Sequence, residues 1–325
     1  QGQASIETIY EIPVTSDLVL WFDASDPNND GTVPVDGSEM STWKDKSGNG
    51  RDASGGRPPI FRDGELNGKP GIEFYGNDYF DVESSEFKVV ELITVFKSRY
   101  PTFQTDHVDD GVKDAYGVVL GNQSGYDRTY LFNFQPDANG NPIFFSSDLP
   151  SNIHKNGMTH SSSASLAPID EAMLLSLKTN RSNYNRKYTI AARDSGAHAT
   201  DADLDIFEII AFDRELTDQE RRKINYYLSK KWGMEAVVSS DGDGSTDEAD
   251  ATPVGDDLAE FALTVESINA IYTPTANYHG VEILTYSVSD GDISNSGSIT
   301  VTVNAVNDQP SFNLGVISQT HYADE

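Results

Sequence analysis

Residues 203–233 constrain the fold of this chain most, because two hydrophobic periods follow one another within them. A short apolar run from Ile206 to Phe212 is typical of a buried strand. After this run, apolar side chains recur at helical spacing, at Leu216, Ile224, Tyr227, Leu228 and Trp232. The sequence therefore predicts a strand that leads directly into a helix.

The predicted helix has a signal at each end. Thr217 is a natural N-cap, and Glu220 three residues later completes a capping box. Lys230 and Lys231 place positive charge in the last turn, where it complements the helix dipole, and Gly233 is a typical stop. Because the acidic segment SSDGDGSTDEAD begins at residue 239, we expect a domain to end near Gly233.

The same stretch carries a family resemblance. Residues 208–233, EIIAFDRELTDQERRKINYYLSKKWG, are similar to the closing strand and helix of bacterial laminin-G-like domains, which have the concanavalin-A-like fold. LVLWFDASD at 18–26, WKDKSGNGRDA at 43–53 and NGKPGIEFYGNDYFDV at 67–82 resemble the opening strands of that family. The resemblance implies an all-β jelly-roll sandwich with a short C-terminal helix and a lectin-like function.

A second resemblance begins at residue 268. The segment INAIYTPTANYHGVEILTYSVSDGDISNSGSITVTVNAVNDQP is similar to the C-terminal half of a cadherin-like tandem repeat, as found in bacterial repeats-in-toxin adhesins. Its alternating strands, separated by Gly, Asn and Asp turns, are also the pattern of an immunoglobulin-like sandwich. We therefore expect a second all-β sandwich after the lectin-like domain.

The second sandwich is short, because few residues lie between Gly233 and Pro310. Insertion of the lectin-like domain into the cadherin-like domain would explain this, with SIETIYEIPV near the N-terminus as the missing first strand. The alternative is that this strand belongs to the lectin-like domain.

The predicted organisation has four parts. Residues 1–12 supply the first strand of a split cadherin-like domain, 13–234 form the lectin-like domain, 235–310 form the cadherin-like sandwich with an acidic calcium loop, and 311–325 begin a further repeat. We expect a monomeric internal fragment of a larger protein, flanked by neighbouring adhesin repeats.

The net charge of the chain argues against some classes of binding partner. The formal net charge of -29 argues against nucleic acid and anionic membrane, because the surplus of Lys and Arg that binds phosphate is missing. The 15 Tyr and 15 Phe favour packed sandwiches over a disordered acidic chain.

Cysteine is absent, so an extracellular protein of this kind needs another means of stabilisation, and Ca²⁺ is the obvious candidate. No apolar run approaches the roughly 18 to 20 residues of a transmembrane helix. We expect a calcium-dependent protein at the bacterial cell surface without direct membrane insertion.

Three segments carry candidate calcium ligands. The first resembles the calcium loop of thrombospondin type-3 repeats, and its ligands would be Asp241, Asp243, Asp247 and Asp250. The second, NAVNDQP, resembles the linker of calcium-dependent cadherins, where Asn307 and Asp308 would be ligands. The alternative for the first segment is a flexible acidic linker.

The third segment lies near the N-terminus. Asp26, Asn28 and Asp30 occupy alternate positions before Gly31, as do the first ligands of oxygen-donor calcium loops. The acidic residue expected at the twelfth position is absent, since Gly37 stands there. The alternative is a solvated loop closed by Asx turns.

Long polar segments between Tyr100 and Ser165 are the predicted binding region, because binding functions concentrate in long loops on a rigid β scaffold. Phe103 and Tyr126 have rings suited to stacking on a sugar. The side chains suited to hydrogen-bonding its hydroxyls are Asp109, Asp110, Asp127, Arg128, Asn152 and His154. The sequence thus favours a carbohydrate-binding module that attaches to glycans on cells or in biofilm; the alternative is a protein- or peptide-binding module.

An enzymatic function is less favoured. Asp203, Asp205 and Glu208, spaced D-x-D-x-x-E, resemble the acidic strand of laminarinase-type glycoside hydrolases, which use two carboxylates. The flanking residues resemble the lectin-like family far more closely, and no Ser-His-Asp, zinc-binding or phosphate-binding motif occurs. We therefore expect that the chain is not an enzyme.

Overall fold

The computed structural model describes most of the first 240 residues and three strands near the C-terminus. The described residues are 7–8, 12–76, 78–83, 85–98, 117–123, 133–136, 142–144, 151–161, 166, 170–179, 185–192, 203–240, 242, 244, 246–247, 268–269, 280–289 and 294–303.

The described elements are strands, with one helix among them. In chain order they are β1 (Glu7–Thr8), β2 (Leu18–Asp23), β3 (Thr42–Trp43), β4 (Ala53–Ser54), β5 (Ile60–Leu66), β6 (Lys69–Phe74), β7 (Phe80–Val82), β8 (Glu91–Ser98), β9 (Gly117–Val118), β10 (Leu120–Asn122), β11 (Asn133–Pro136), β12 (Pro142–Phe144), β13 (Ser151–Lys155), β14 (Met158–His160), β15 (Met173–Lys178), β16 (Tyr188–Ile190), β17 (Leu204–Phe212), α1 (Asp218–Trp232), β18 (Ile268–Asn269), β19 (Gly280–Ser289) and β20 (Ser294–Val303).

The chain divides into two compact units, of which the larger spans Tyr10–Thr264. Its main sheet has the order β14-β13-β15-β8-β17-β6-β5, with β2 also paired to β17, and a five-stranded sheet has the order β10-β16-β7-β4-β3. A small sheet of β12, β11 and β9 accompanies them. The pairings between these strands are antiparallel.

Aromatic side chains join the two large sheets. Phe22 of β2 packs against Trp43 of β3 with ring centroids 5.3 Å apart, and Phe74 of β6 meets Phe80 of β7 edge to face at 6.0 Å. All four rings are buried in one continuous hydrophobic core. The larger unit is therefore an all-β sandwich with a short helix, which confirms the predicted fold class.

Strand β17 is the centre of the main sheet. It pairs with β8 along one side, while β6 and then β2 pair along the other. The change of partner coincides with a bulge at Phe207, whose carbonyl accepts a hydrogen bond from the amide of Ala24. A bulge re-aims the side chains that follow it, and all nine residues of β17 are buried.

Helix α1 forms as the sequence predicts. The Thr217 side chain accepts from the amide of Glu220, whose carboxylate accepts from the amide of Thr217, so the capping box is complete. Gly233 ends the helix in the left-handed conformation at φ 64°. No helix within the described residues is long and apolar enough to cross a membrane.

The smaller unit comprises Gln1–Ile9 and Val265–Glu325. Its described strands are the long antiparallel pair β19 and β20, and the short antiparallel pair β1 and β18, in which Glu7 lies opposite Asn269. If the larger domain is inserted into the smaller one, residues before it in the sequence should pair with residues after it, as Glu7 and Asn269 do. The predicted domain limits remain predictions.

Candidate functional site

A lysine with two carboxylates lies inside the larger unit, between strands β2 and β17 and helix α1. The Lys231 Nζ atom is 2.8 Å from Asp23 Oδ2 and 2.8 Å from Glu208 Oε2. Each of the three side chains is at most 3% exposed. We call Asp23, Glu208 and Lys231 the Lys231 cluster.

Glu208 is held by donors on both of its oxygens. Oε1 accepts from Trp21 Nε1 at 2.8 Å and from the Tyr227 hydroxyl at 3.0 Å, while Oε2 accepts from Trp232 Nε1 at 2.7 Å. Burial, only partly offset by the charge of Lys231, raises the pKa of Glu208 above its usual value. Such a carboxylate is suited to exchanging a proton with a neighbour.

The pKa of Asp23 is shifted in the opposite direction, below its usual value. Burial disfavours its ionised form, but the positive charges of Lys231 and Lys46 outweigh that penalty and hold the pKa of Asp23 well below its usual range. Lys46 also bridges Asp23 to Asp26, at 3.0 and 2.9 Å. The cluster thus reaches the surface through Lys46, which is 15% exposed.

A second polar group lies at one end of the main sheet, and we call it the Tyr75 edge; it consists of Arg57, Tyr75, Asp78 and Asp203. The amide of Gly76 donates to Asp203 Oδ1 at 3.0 Å, and the amide of Tyr75 donates to Asp78 Oδ2 at 3.2 Å. Arg57 Nε lies 3.5 Å from Asp78 Oδ1. These contacts bring together residues from three separate parts of the sequence.

The Tyr75 edge combines an accessible ring with charged groups. Tyr75 is 48% exposed and the Arg57 side chain is 67% exposed. Burial, reinforced by the charges of Glu73 and Glu39 and opposed by Arg57, raises the pKa of Asp78. An accessible aromatic ring can stack on an apolar face, and guanidinium and carboxyl groups can hydrogen-bond hydroxyls.

The Tyr75 edge is adjacent to the start of the predicted binding region. Leu204, the first residue of β17, lies opposite both Phe74, the last residue of β6, and Ser98, the last residue of β8. Strand β8 therefore ends, at Ser98, at the end of the sheet where Tyr75 and Asp203 lie, and the segment from Tyr100 to Ser165 follows it in the sequence. Phe103, Asp109 and Asp110 belong to that segment and are outside the described residues.

Of the other predicted glycan contacts, Asn152 and His154 are described, and both lie on β13. Asn152 is exposed, and its amide donates to Glu215 Oε1 at 2.7 Å. His154 is half-buried, and burial together with the charge of Arg221 lowers its pKa. Tyr126, Asp127 and Arg128 lie outside the described residues.

The predicted calcium ligands near the N-terminus accept and donate hydrogen bonds within their own loop. Asp26 Oδ1 accepts from the amides of Asp30 and Gly31, and Asp30 Oδ1 accepts from the amide and hydroxyl of Thr32. The side-chain amide of Asn28 donates through Nδ2 to the carbonyl and the hydroxyl of Thr32. These contacts are those of the Asx-turn alternative.

In the acidic segment after α1, only Asp247 of the predicted ligands is described. It is buried, its Oδ1 accepts from the amide and hydroxyl of Ser240 at 2.9 Å each, and its Oδ2 accepts from Ser229 of α1. The other predicted ligands, Asp241, Asp243, Asp250, Asn307 and Asp308, lie outside the described residues. Among the residues that the structure describes, no group of three or more His, Asp or Glu side chains is placed to hold a metal ion; the calcium sites remain predictions.

The three acids of the D-x-D-x-x-E pattern contact different groups. Asp203 belongs to the Tyr75 edge, Asp205 lies 3.4 Å from Lys97 Nζ, and Glu208 is fully buried in the Lys231 cluster. The bulge at Phe207 separates Glu208 from the other two.

Sequence reasoning missed the partners at both sites. Arg57, Tyr75 and Asp78 carry no motif, and only the pairing of β6 with β17 brings them beside Asp203. The sequence predicts Lys231 as a cation of the last helical turn, although its position four residues after Tyr227, on a mostly apolar helix face, is also a signal of burial.

Comparison with known proteins gives only distant similarity. No family model and no curated protein matches the chain. Among solved structures, the Trypanosoma rangeli sialidase in complex with sialic acid aligns at 14% identity with a TM-score of 0.38, covering 68% of this chain and 34% of the sialidase. A mutant of that sialidase displaying trans-sialidase activity aligns at 13% identity with a TM-score of 0.37. The chain spans about a third of the length of these structures.

One expectation from the sequence is corrected by this comparison. The matched structures are sialidases, which are carbohydrate-active enzymes, and this contradicts the expectation that the chain is not an enzyme. We therefore withdraw that expectation. A TM-score of 0.38 at 14% identity assigns neither a family nor an activity to this chain.

Proposed function

We propose that this chain is a carbohydrate-binding part of a bacterial surface adhesin and that the Tyr75 edge belongs to its sugar site. The half-exposed residue Tyr75, on a turn whose backbone amides bind Asp78 and Asp203, is the observation that carries the proposal, and Arg57 lies beside Asp78. Sugar sites need a stacking ring together with a few well-placed polar groups.

The scaffold supports this location. The carboxylates of Asp78 and Asp203 accept hydrogen bonds from backbone amides of the same turn, so the turn and its ring are held against the sheet. A site on a fixed turn loses little conformational entropy when it binds. Phe103, Asp109 and Asp110 follow β8 in the sequence, and we propose that they complete the site.

The proposal is tested by glycan-array screening of the full chain, followed by titration calorimetry of the best ligand. Tyr75→Ala should weaken binding by about 1 to 3 kcal/mol, since stacking rings are among the strongest contributors to interfaces. Tyr226→Ala is the matched control, because Tyr226 is a partly exposed tyrosine on α1, and it should bind like the wild type.

Two results would contradict the proposal. One is a glycan affinity that is unchanged in Tyr75→Ala but lost in Tyr126→Ala or in Asp127→Ala, which would move the site to the other predicted loop. The other is binding to a peptide array with no binding to glycans, which would favour the protein-binding alternative.

We further propose that the protein is extracellular and stabilised by Ca²⁺. The net charge of -29 supports this, because cations that bind only the folded chain stabilise it by mass action and reduce repulsion between carboxylates. Adding excess chelator should lower the melting temperature, and adding back Ca²⁺ should restore it. A melting curve that is the same in chelator and in Ca²⁺ would contradict this.

A further inference from the structure

The Lys231 cluster holds an amine against a carboxyl group where water is scarce. Lys231 Nζ lies within hydrogen-bonding distance of Asp23 Oδ2, at 2.8 Å, and the rings of Tyr227 and Trp232 have their centroids 5.4 and 5.3 Å from it. The Trp21 ring closes another side at 6.0 Å. Two groups that can condense are therefore fixed next to each other in a mostly aromatic enclosure.

Glu208 is placed to move the protons. Its Oε2 atom is 2.8 Å from the same Nζ atom, and residues 208 and 23 are directly opposite one another in the pairing of β17 with β2. The two tryptophan N–H groups that hold its oxygens fix its orientation. A buried carboxylate in contact with the ammonium can accept a proton from it and later return a proton to the departing oxygen.

Asp23 has donors where charge would develop. Its Oδ1 atom accepts from the amide of Ser25 at 2.9 Å and from the Ser25 hydroxyl at 2.6 Å, while its Oδ2 atom accepts from Lys46 at 3.0 Å. Two donors on Oδ1 would stabilise a negative oxygen in a tetrahedral intermediate. Lys46 is in contact with the oxygen that would leave.

We propose that Lys231 and Asp23 join in an intramolecular amide cross-link, with Glu208 as the proton-transfer group. Glu208 takes a proton from the Lys231 ammonium and delivers it to Oδ2 of Asp23, so the neutral amine attacks Cγ of a protonated carboxyl group, and a second proton passes from the attacking nitrogen to Oδ2. An N–C bond forms and the bond between Cγ and Oδ2 breaks. One ammonium and one carboxylate thus become one amide and one water, and the oxygen leaves with two protons from the ammonium, so no oxidant or other reactant is needed.

Condensation removes two charges from the buried cluster. Keeping an ammonium and a carboxylate out of water is costly, whereas an amide carries no net charge. The two side chains are already in contact through Nζ and Oδ2, which replaces an encounter in solution by a step within one folded molecule. The link would join β2, near the start of the larger unit, to the last turn of α1.

The test is intact-mass spectrometry of the denatured full chain, followed by digestion and sequencing of linked peptides. The wild type should be lighter than its sequence by one water, and the linked peptide should contain Asp23 and Lys231. Because a succinimide at an Asp-Gly step such as Asp63-Gly64 also loses a water, the linked peptide is the deciding observation. A wild type with the full sequence mass, or a link between other residues, overturns the proposal.

If the wild type carries the cross-link, variants test the roles of Lys231 and Glu208 in forming it. Lys231→Arg should retain the full mass, and Glu208→Gln should leave the linked fraction near zero even in molecules that circular dichroism shows to be folded. Lys230→Arg is the matched control, because Lys230 contacts Glu235 and Tyr226 outside the cluster, and it should be linked like the wild type. A folded Glu208→Gln protein with complete linkage contradicts the assigned role of Glu208.

Discussion

At the scale of single residues, Arg221 shows how differently two ion pairs on one side chain contribute. Its Nε atom is 2.7 Å from Glu91, which is fully buried, and its Nη1 atom is 2.8 Å from Asp218, whose side chain is 86% exposed. Glu91 also accepts from the amide of Leu216 at 2.8 Å. The buried partner therefore fastens α1 to β8, while the exposed one is screened by water.

We predict that Glu91→Gln lowers the free energy of unfolding by about 3 to 5 kcal/mol, because it leaves the buried charge of Arg221 without its partner. Asp218→Asn, which removes the other partner of the same guanidinium, should cost at most about 1 kcal/mol. Urea denaturation of the two variants measures both values. Equal losses would show that burial does not decide the strength of these pairs.

Glu220 gives a prediction about pH. Its hydrogen bonds with Arg214 lower its pKa from 4.5 to about 2. A carboxyl group whose pKa is lower in the folded state stabilises the protein above its unfolded pKa, and this contribution is lost as pH falls from 4.5 toward about 2. Glu220→Gln should therefore destabilise the protein at neutral pH, and the difference from wild type should shrink by about pH 3.

Urea denaturation at both pH values checks this, with Glu86→Gln as the control for loss of an exposed acid. The control should differ little from wild type at either pH. A Glu220→Gln difference that stays constant between the two pH values would contradict the role assigned to the pair with Arg214.

At the scale of elements, the sequence predicts those features that depend only on residues close together in the chain. The capping box at Thr217 and the stop at Gly233 are local, and α1 has both. The burial of Asp247 could not be predicted, because it requires Ser229 of the helix and Ser240 of the following turn to converge on one carboxylate. In the sequence, Asp247 looks like every other acid of its segment.

The segment of residues 238–240 lies against the turn between β13 and β14. The amide of Ser239 donates to the carbonyl of Asn156 at 3.0 Å, and a Cβ atom at Gly157 would collide with the carbonyl of Ser239. Gly157→Ala should therefore displace the segment and increase its cleavage by a broad-specificity protease.

The control for this experiment is Gly68→Ala. Gly68 has φ +78° and Gly157 has φ +81°, so alanine is strained at both positions, but a Cβ atom at Gly68 meets nothing within 4 Å. Both variants should lose some stability, whereas cleavage between residues 238 and 247 should rise only in Gly157→Ala. Equal cleavage in the two variants would show that the segment does not depend on this close approach.

At the scale of the whole molecule, the pairing of β1 with β18 makes residues near the N-terminus part of the smaller unit. Deleting residues 1–9 should therefore lower the melting temperature of the smaller unit and leave that of the larger unit unchanged. Calorimetry of the full and shortened chains, with hydrogen exchange of β19 and β20, separates the two transitions. A loss of stability confined to residues 12–240 would contradict this assignment.

The all-β sandwich and its helix were predictable from the sequence, because alternation and capping are periodic signals. The two polar sites were not. Asp23 and Lys231 are 208 positions apart in the sequence, and they meet only because β2 pairs with β17 and α1 packs across both. Tyr75 likewise becomes a neighbour of Asp203 only through the register of β6. Such contacts depend on the tertiary arrangement, which cannot be read from periodicity or motifs in a single sequence.

The pairing of Glu7 with Asn269 also has a mechanical consequence. When β1 and β18 are pulled apart, tension acts on their pairing until the two strands separate. Once they do, each unfolding residue adds roughly 3.3 to 3.6 Å of length. The larger unit therefore adds length under force only after this short strand pair breaks. An amide between Asp23 and Lys231 would prevent the residues between them from extending.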